Sequence, residues 1–305
     1  MEKLITLKFL KLRKSSKFLL LIFFVIAISS CKSNKKIAFY TPIPNSIFDY
    51  FNFKTGKTPI VSVHRGGGNL VGLPENCIES FEYIANKIPC IIECDIEMSK
   101  DSIMVLMHDK SLERTSTGSG LVVQNNYEEI RKLKLEDNFG NLTEFSVPTL
   151  EKTLLWGKNK VIFTLDVKKT TPYRLVMNMV KKMNAIKYSV IITYKLKEAV
   201  EVYNIDPNFM ISVSLMQPSD YDRLHEAGIP DKNMVAFIGT REPKPEFIEF
   251  LHKKGIMCIL GVLGNLDKKA EVSGDKLYSD FIKSGVDIFA TDRPEAVYNV
   301  INKIK

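Results

Sequence analysis

Apolar and polar positions along residues 58–305 alternate between two kinds of segment. Short runs rich in β-branched and aliphatic residues occur at Ile60–Val63, Ile91–Glu97, Val161–Val167, Val190–Thr193, Met210–Leu215, Met234–Ile238, Ile256–Leu260 and Asp287–Ala290. Between most of them lie stretches with apolar residues three and four apart, the signature of amphipathic helices. These include Ile78–Lys87, Tyr173–Met183, Lys195–Tyr203, Ser219–Ala227, Glu246–Lys254 and Lys276–Lys283. Strand and helix in such alternation predict an α/β fold, a (β/α)8 TIM barrel, with an open doubly wound sheet as the alternative.

One apolar run breaks the alternation. Ser102–His108 follows the second strand after only Ser99-Lys100-Asp101. A parallel neighbour needs a crossover of a dozen residues or more, so this run reads as the return arm of a hairpin. Residues 99–157 then form a small insertion after the second strand, with one short helix expected at Tyr127–Leu133 and another after Pro148.

The N-terminus is a separate matter. Lys3, Lys8, Lys11, Arg13, Lys14 and Lys17 precede the apolar run Phe18–Ile28, which is too short to span a bilayer as a helix. Ile28-Ser29-Ser30-Cys31 follows and looks like a bacterial lipobox. The expected division is a lipoprotein signal peptide over 1–30, a lipidated Cys31 and tether over 31–57, and the barrel over 58–305. The chain would be exported and lipid-anchored at a bacterial cell envelope; plain secretion is the alternative.

Charge sharpens this division. The formal charge of +8 comes from residues 1–36, which hold nine basic residues and one acid, while 37–305 hold 34 of each. A neutral domain argues against nucleic acid as a partner. Nothing in the sequence names a protein partner. Cys77, Cys90, Cys94 and Cys258 remain available for disulfides in an exported protein, but Cys90 and Cys94, in one strand, lie roughly 13 Å apart and cannot bond to each other.

Candidate chemistry concentrates at four places. His64-Arg65-Gly66-Gly67-Gly68 directly follows the first strand, at the end that carries the active site in barrels. Glycines there let a backbone approach a ligand, and the planar fork of Arg65 suits a phosphate. In Glu93-Cys94-Asp95-Ile96-Glu97, alternation puts the three acids on one face. Buried without a cation they would repel strongly, and a hard divalent ion on carboxylate oxygens resolves this. The alternative is a solvent-facing edge strand, against which the apolar lead-in Ile91-Ile92 speaks.

The third place is His108-Asp109. A hairpin turning around Lys100-Asp101 pairs Asp95 with Met107 and Cys94 with His108. That sets the histidine beside the acids but leaves its direction open. The fourth is Asp166 with Lys168, on one face near the end of the third barrel strand. Metal and phosphate binding or a plain salt bridge fit it equally. His225 and His252 lie in helical patterns and read as surface residues, and Trp156 reads as packing.

In order, these pieces resemble the glycerophosphodiester phosphodiesterase family. The matching residues are His64-Arg65-Gly66, Pro74-Glu75-Asn76, Glu93-Cys94-Asp95, Ser99-Lys100-Asp101, His108-Asp109, Leu112, Arg114-Thr115, Gly118-Ser119-Gly120, Pro148-Thr149-Leu150-Glu151, Asp166-Val167-Lys168, Gly285-Val286-Asp287 and Thr291-Asp292-Arg293-Pro294-Glu295. The resemblance runs from about residue 58 to the C-terminus and implies a (β/α)8 barrel with an insertion after the second strand.

It further implies His64 and His108 as general acid and base, and Glu93, Asp95 and Asp166 as ligands of Mg²⁺ or Ca²⁺. Arg65 and Lys168 would contact phosphate, with Glu75 supporting the metal or a histidine. The implied reaction hydrolyses a glycerophosphodiester to glycerol phosphate and an alcohol. Two departures stand out. Asp166 replaces the glutamate usual at the third metal position, and Leu260-Gly261-Val262-Leu263 stands where the family has a WTVN-like stretch, removing an aromatic from the pocket floor. Competing readings are a phospholipase of the same barrel group and a non-catalytic lipoprotein that binds a phosphodiester or an envelope polymer.

Overall fold

The computed structural model describes residues 40–304. The signal peptide expected over 1–30 and the lipidated Cys31 lie outside the described residues. Nine strands form one sheet: β1 (Ile60–Val63), β2 (Cys90–Met98), β3 (Met104–Leu106), β4 (Ile162–Val167), β5 (Ser189–Thr193), β6 (Met210–Ser214), β7 (Met234–Phe237), β8 (Cys258–Gly261) and β9 (Ile288–Thr291). All neighbours are parallel except β2 and β3, and β1 pairs with both β2 and β9. The eight parallel strands therefore close into a barrel, with β3 attached as a hairpin arm on β2. This is the (β/α)8 fold expected from the alternation.

Burial explains why the strands read as near-continuous apolar runs. A parallel barrel strand has side chains inside and helices outside, so neither face meets water. All six residues of β4 are buried. In β2, Cys94 and Ile96 are wholly buried between the acids of the same strand. The helices are α1 (Ile47–Phe51), α2 (Ile78–Ala85), α3 (Tyr127–Ile130), α4 (Leu150–Gly157), α5 (Tyr173–Lys182), α6 (Leu196–Ile205), α7 (Pro218–Glu226), α8 (Pro245–His252), α9 (Asn265–Ser273), α10 (Lys276–Lys283) and α11 (Pro294–Ile304).

Local chemistry sets several of their ends. Thr149 caps α4 by accepting a hydrogen bond from the Lys152 amide. Gly157 is its last residue, and a Cβ there would sit 2.1 Å from the Phe163 ring, so glycine lets the helix meet β4 closely. Trp156 packs among Phe81 and Phe163, as its sequence context suggested. Among the described residues no helix is long and apolar enough to cross a membrane.

The insertion has a core of its own. Val105, Met107, Leu112, Val122, Ile130, Leu135 and Val147 pack together with Cys77. Its expected helices are present, though α3 stops at Ile130, and α4 belongs to the barrel layer. The hairpin register pairs Ile96 with Leu106, and the Met107 amide donates to the Asp95 carbonyl, which is the register the turn position implied.

Two expectations need correction. Residues 40–57 are not a free tether. Ile47 and Phe51 are buried, Thr41 donates its hydroxyl to the Cys90 carbonyl at 2.7 Å, and the Phe53 amide donates to the Gly255 carbonyl. Apolar residues in this segment cover the N-terminal end of the barrel. Nor is His252 a surface residue. Its ring stacks on Phe53 at 3.5 Å, and Nε2 lies 2.8 Å from Asp287 Oδ2. His225 is exposed as expected. Cys77, Cys90, Cys94 and Cys258 are all buried free thiols.

Candidate functional site

The C-terminal ends of the strands surround a cavity of about 220 Å³. His64, Glu93, Asp95, His108 and Asp166 line it, together with serine and threonine hydroxyls, Tyr194, Phe237, Ile259 and Leu263. The register makes this possible. Asp95 is the direct neighbour of Asp166 in the β2–β4 ladder, and Glu93 sits one inward position below Asp95. Leu263, from the segment that departs from the family pattern, stands in the wall.

Glu93, Asp95 and Asp166 each offer one carboxylate oxygen within 4.8 Å of the others. Lys168 donates to Asp95 Oδ1 at 2.5 Å and Asp166 Oδ2 at 2.6 Å, so one ammonium faces three acids. Asp166 Oδ1 is buried and has no partner. Burial first, then the charges of Asp95 and Asp166, push the Glu93 carboxyl well above the usual range. Burial also raises Asp166, against the pull of Lys168. For Asp95, burial is outweighed by Lys168 and by the Asn76 amide, and its carboxyl is held low. An excess of buried negative charge with an orphaned oxygen is what a hard divalent cation satisfies. The residues therefore fit a hard divalent cation, although Asp166 reaches one methylene less far than a glutamate. Glu97 stands apart, accepting from the Thr170 hydroxyl.

Both histidines are held by a carboxylate at Nδ1. His64 lies 2.7 Å from Asp292 Oδ1, and His108 lies 2.6 Å from Asp109 Oδ1. Each acid fixes its ring so that Nε2 is the nitrogen left for chemistry. His108 leaves the strand pairing, which ends at Leu106, and so escapes the alternation that would have placed it beside Cys94. His64 opens a tight turn in which Gly66 has φ +65 and a Cβ would lie 1.9 Å from the Phe81 ring. Only glycine fits there.

Burial raises Asp292, but the His64 hydrogen bond and charge and the Gly264 amide outweigh it and hold the carboxyl low. The Arg114 hydrogen bond, together with His108, holds Asp109 far below the ordinary range against burial. Asp267 supports Asp292 from beneath, accepting from its amide at 2.7 Å and from the Thr291 and Tyr278 hydroxyls.

Arg65 and Glu75 pair with each other. The Arg65 amide donates to Glu93 Oε2 at 2.7 Å, while its Nη1 donates to both oxygens of Glu75. Its Nε is buried without a partner, 3.9 Å from Asp95 Oδ2. Glu75, 2% exposed, touches neither the carboxylate trio nor a histidine and instead joins Arg65 to Arg114. Asn76 gives Asp95 a two-point anchor, side chain to side chain at 2.7 Å and amide to side chain at 2.9 Å. Sequence reasoning quoted Asn76, Asp109, Arg114 and Asp292 within motifs but assigned them no chemistry. Asp267, on a helix the pattern did not single out, carried no signal.

The position of these groups defines the class. Barrel enzymes carry their chemistry on the loops after the strands, and two oriented imidazoles flanking a carboxylate cluster there are the equipment of a barrel hydrolase. A sequence profile described as the glycerophosphoryl diester phosphodiesterase family matches residues 64–296. A curated glycerophosphodiester phosphodiesterase of Caldanaerobacter subterraneus subsp. tengcongensis is 27% identical over 258 residues, covering 80% of this chain and 98% of that one.

Solved structures agree. A glycerophosphoryl diester phosphodiesterase from Parabacteroides distasonis superposes with a TM-score of 0.79 at 31% identity, covering 88% of this chain and 94% of that one. An Oleispira antarctica phosphodiesterase, solved with the product sn-glycerol-3-phosphate, shares the fold at 15% identity and a TM-score of 0.66, covering 84% of this chain and 99% of that one. The chain belongs to the glycerophosphoryl diester phosphodiesterase family and is a phosphoric diester hydrolase.

Proposed function

We propose that the protein hydrolyses glycerophosphodiesters to glycerol phosphate and an alcohol by two-histidine acid/base catalysis, with a divalent cation held by Glu93, Asp95 and Asp166. The observation that carries this reading is the pair of carboxylate-held imidazoles on the same barrel mouth as the three acids. A divalent cation bound to Glu93, Asp95 and Asp166 would supply electrostatic stabilisation of charge on the phosphoryl oxygens. Lys168, beside Asp95 and Asp166, and Arg65, with its unpartnered Nε, add positive charge for the phosphate. Nε2 of one histidine takes a proton from the attacking oxygen as it bonds to phosphorus, and Nε2 of the other delivers one to the alcohol oxygen whose P–O bond breaks; the attacking oxygen is that of water, or of a neighbouring substrate hydroxyl whose cyclic ester water then opens. Asp109 and Asp292 keep both rings in the tautomer that leaves Nε2 free for this exchange.

Localisation at a membrane through Cys31 is part of the same proposal. Tyr40 and Thr41 run against Glu82, Lys160 and Cys90, at the N-terminal end of the barrel. Residues 40 and 41 therefore lie at the end opposite the catalytic mouth.

The test is release of glycerol phosphate from glycerophosphocholine and glycerophosphoethanolamine with Mg²⁺, Ca²⁺ or EDTA. Turnover should require a cation, stop with EDTA, and disappear in His64→Ala and in His108→Ala while the fold survives. Near-normal activity in either variant removes that histidine from the mechanism.

A further inference from the structure

Arg114 lies outside the cavity, on the insertion, yet it is bonded on both edges. One edge grips Asp109, through Nε to Oδ2 at 2.6 Å and Nη2 to Oδ1 at 3.1 Å. The other grips Glu75, through Nη2 to Oε1 at 2.7 Å and Nη1 to Oε2 at 3.1 Å. Glu75 is buried and also takes Arg65, whose amide holds Glu93. Asp109 in turn holds His108. An unbroken path of charge-assisted bonds thus joins Glu93 in the carboxylate trio to the imidazole of His108 and runs through a residue of the insertion.

We propose that Arg114 is a positioning residue for His108. Asp109 is about one-third exposed and could swing into solvent. The Arg114 fork fixes both of its oxygens, and the oxygen that faces His108 is then available at a single place. Glu75 fixes the guanidinium itself, because a buried carboxylate between two cations cannot turn without losing both. A lysine preserves the charge but not the two-edged fork. The insertion therefore completes the acid/base pair and does not merely shield it. This inference rests on the role proposed for His108.

The experiment compares Arg114→Lys and Arg114→Met in the full-length enzyme with His108→Gln and with the His108→Gln/Arg114→Met double variant, using glycerophosphocholine, whose unactivated alcohol needs both acid and base, at enzyme concentrations high enough to measure residual rates. Arg114→Lys should lower kcat about 10- to 100-fold, the usual cost of losing a group that orients an active imidazole, with KM within about threefold and an unchanged thermal midpoint. Arg114→Met should cost no further activity in the His108→Gln background, because its effect passes through that ring. Guanidinium added to Arg114→Ala should recover part of kcat, which sodium chloride at equal ionic strength should not.

Wild-type kcat in Arg114→Lys, a loss confined to KM, or a loss in the double variant equal to the product of the single losses would overturn the inference. A fully active His108→Gln would sink the acid/base reading itself. A disabled His108→Gln beside an intact Arg114→Lys would sink only the role of Arg114.

Discussion

Replacing Asp292 by asparagine tests the orientation of His64 directly. Asp292 Oδ1 is 2.7 Å from His64 Nδ1, and Oδ2 accepts the Gly264 amide at 3.3 Å. The carboxylate thus faces two donors. An amide of the same shape offers one acceptor and one donor, so either placement sets a donor against a donor. If its oxygen turns to Gly264, its NH₂ faces Nδ1 and forces the ring proton onto Nε2, the wrong tautomer for a base. If its oxygen turns to His64, the ring keeps its tautomer but loses the charge that stabilises an imidazolium.

A hydrogen bond to a charged group contributes about 1.5–3 kcal/mol. At about 1.4 kcal/mol per decade, this second placement alone predicts a kcat loss of roughly 10- to 150-fold. The tautomer error can extend the loss toward the roughly 10²–10⁴-fold contribution of an acid or base. The assay is steady-state release of glycerol phosphate from glycerophosphocholine, with circular dichroism as the control for folding. KM should stay within about threefold, since Asp292 contributes through His64 and not through substrate. A kcat within about threefold of wild type would refute the assignment of Asp292 and weaken that of His64.

Three further predictions follow from the same geometry. Because Glu93 is raised, the folded chain binds its proton more tightly than the unfolded chain; its contribution favours folding below the ordinary Glu pKa and is lost as pH rises through the shifted one. Mg²⁺ or Ca²⁺ at one fixed concentration, about 100 times its Kd at pH 8, should stabilise the protein by about 2.7 kcal/mol there, with a smaller rise in Tm near pH 5, where the proton on Glu93 competes; an equal rise at both would count against Glu93 as a ligand. Gly66→Ala combines a left-handed backbone, worth about 1–2 kcal/mol, with a clash on Phe81, so calorimetry and turnover should both show a loss; a wild-type Tm would contradict the geometry of the turn. Cys31→Ala should move the protein from the membrane to the soluble fraction on cell fractionation, and unchanged membrane association would reject acylation.

Much of the site was legible because its residues are close in sequence to strand ends. His64, Glu93, Asp95, His108, Asp166 and Lys168 all lie within a few residues of β1, β2, β3 or β4, so a period-2 pattern and a parallel barrel already bring them together. What the pattern could not reach were the partners that arrive from elsewhere. Asp292 comes from 228 residues away to hold His64, and Arg114 reaches 39 residues back to Glu75. Glu75 pairs with two arginines because burial demands counter-charge, and no local rule says which cations will be near. Phe53 and His252 meet only because residues 40–57 fold over the barrel end, where their apolar side chains find cover.

The sequence alone determined the strand–helix alternation, the hairpin and the identity of the groups that carry charge, while closure of the sheet into a barrel rested on the pairing of β1 with both β2 and β9. The first three follow from periodicity, turn chemistry and short connections, all local properties of the chain. Tertiary structure decided which carboxylate holds which imidazole, that Arg65 faces Glu75, and that residues 40–57 cover the end opposite the catalytic mouth. Those facts depend on which distant surfaces are buried together, and burial is settled by the whole chain at once.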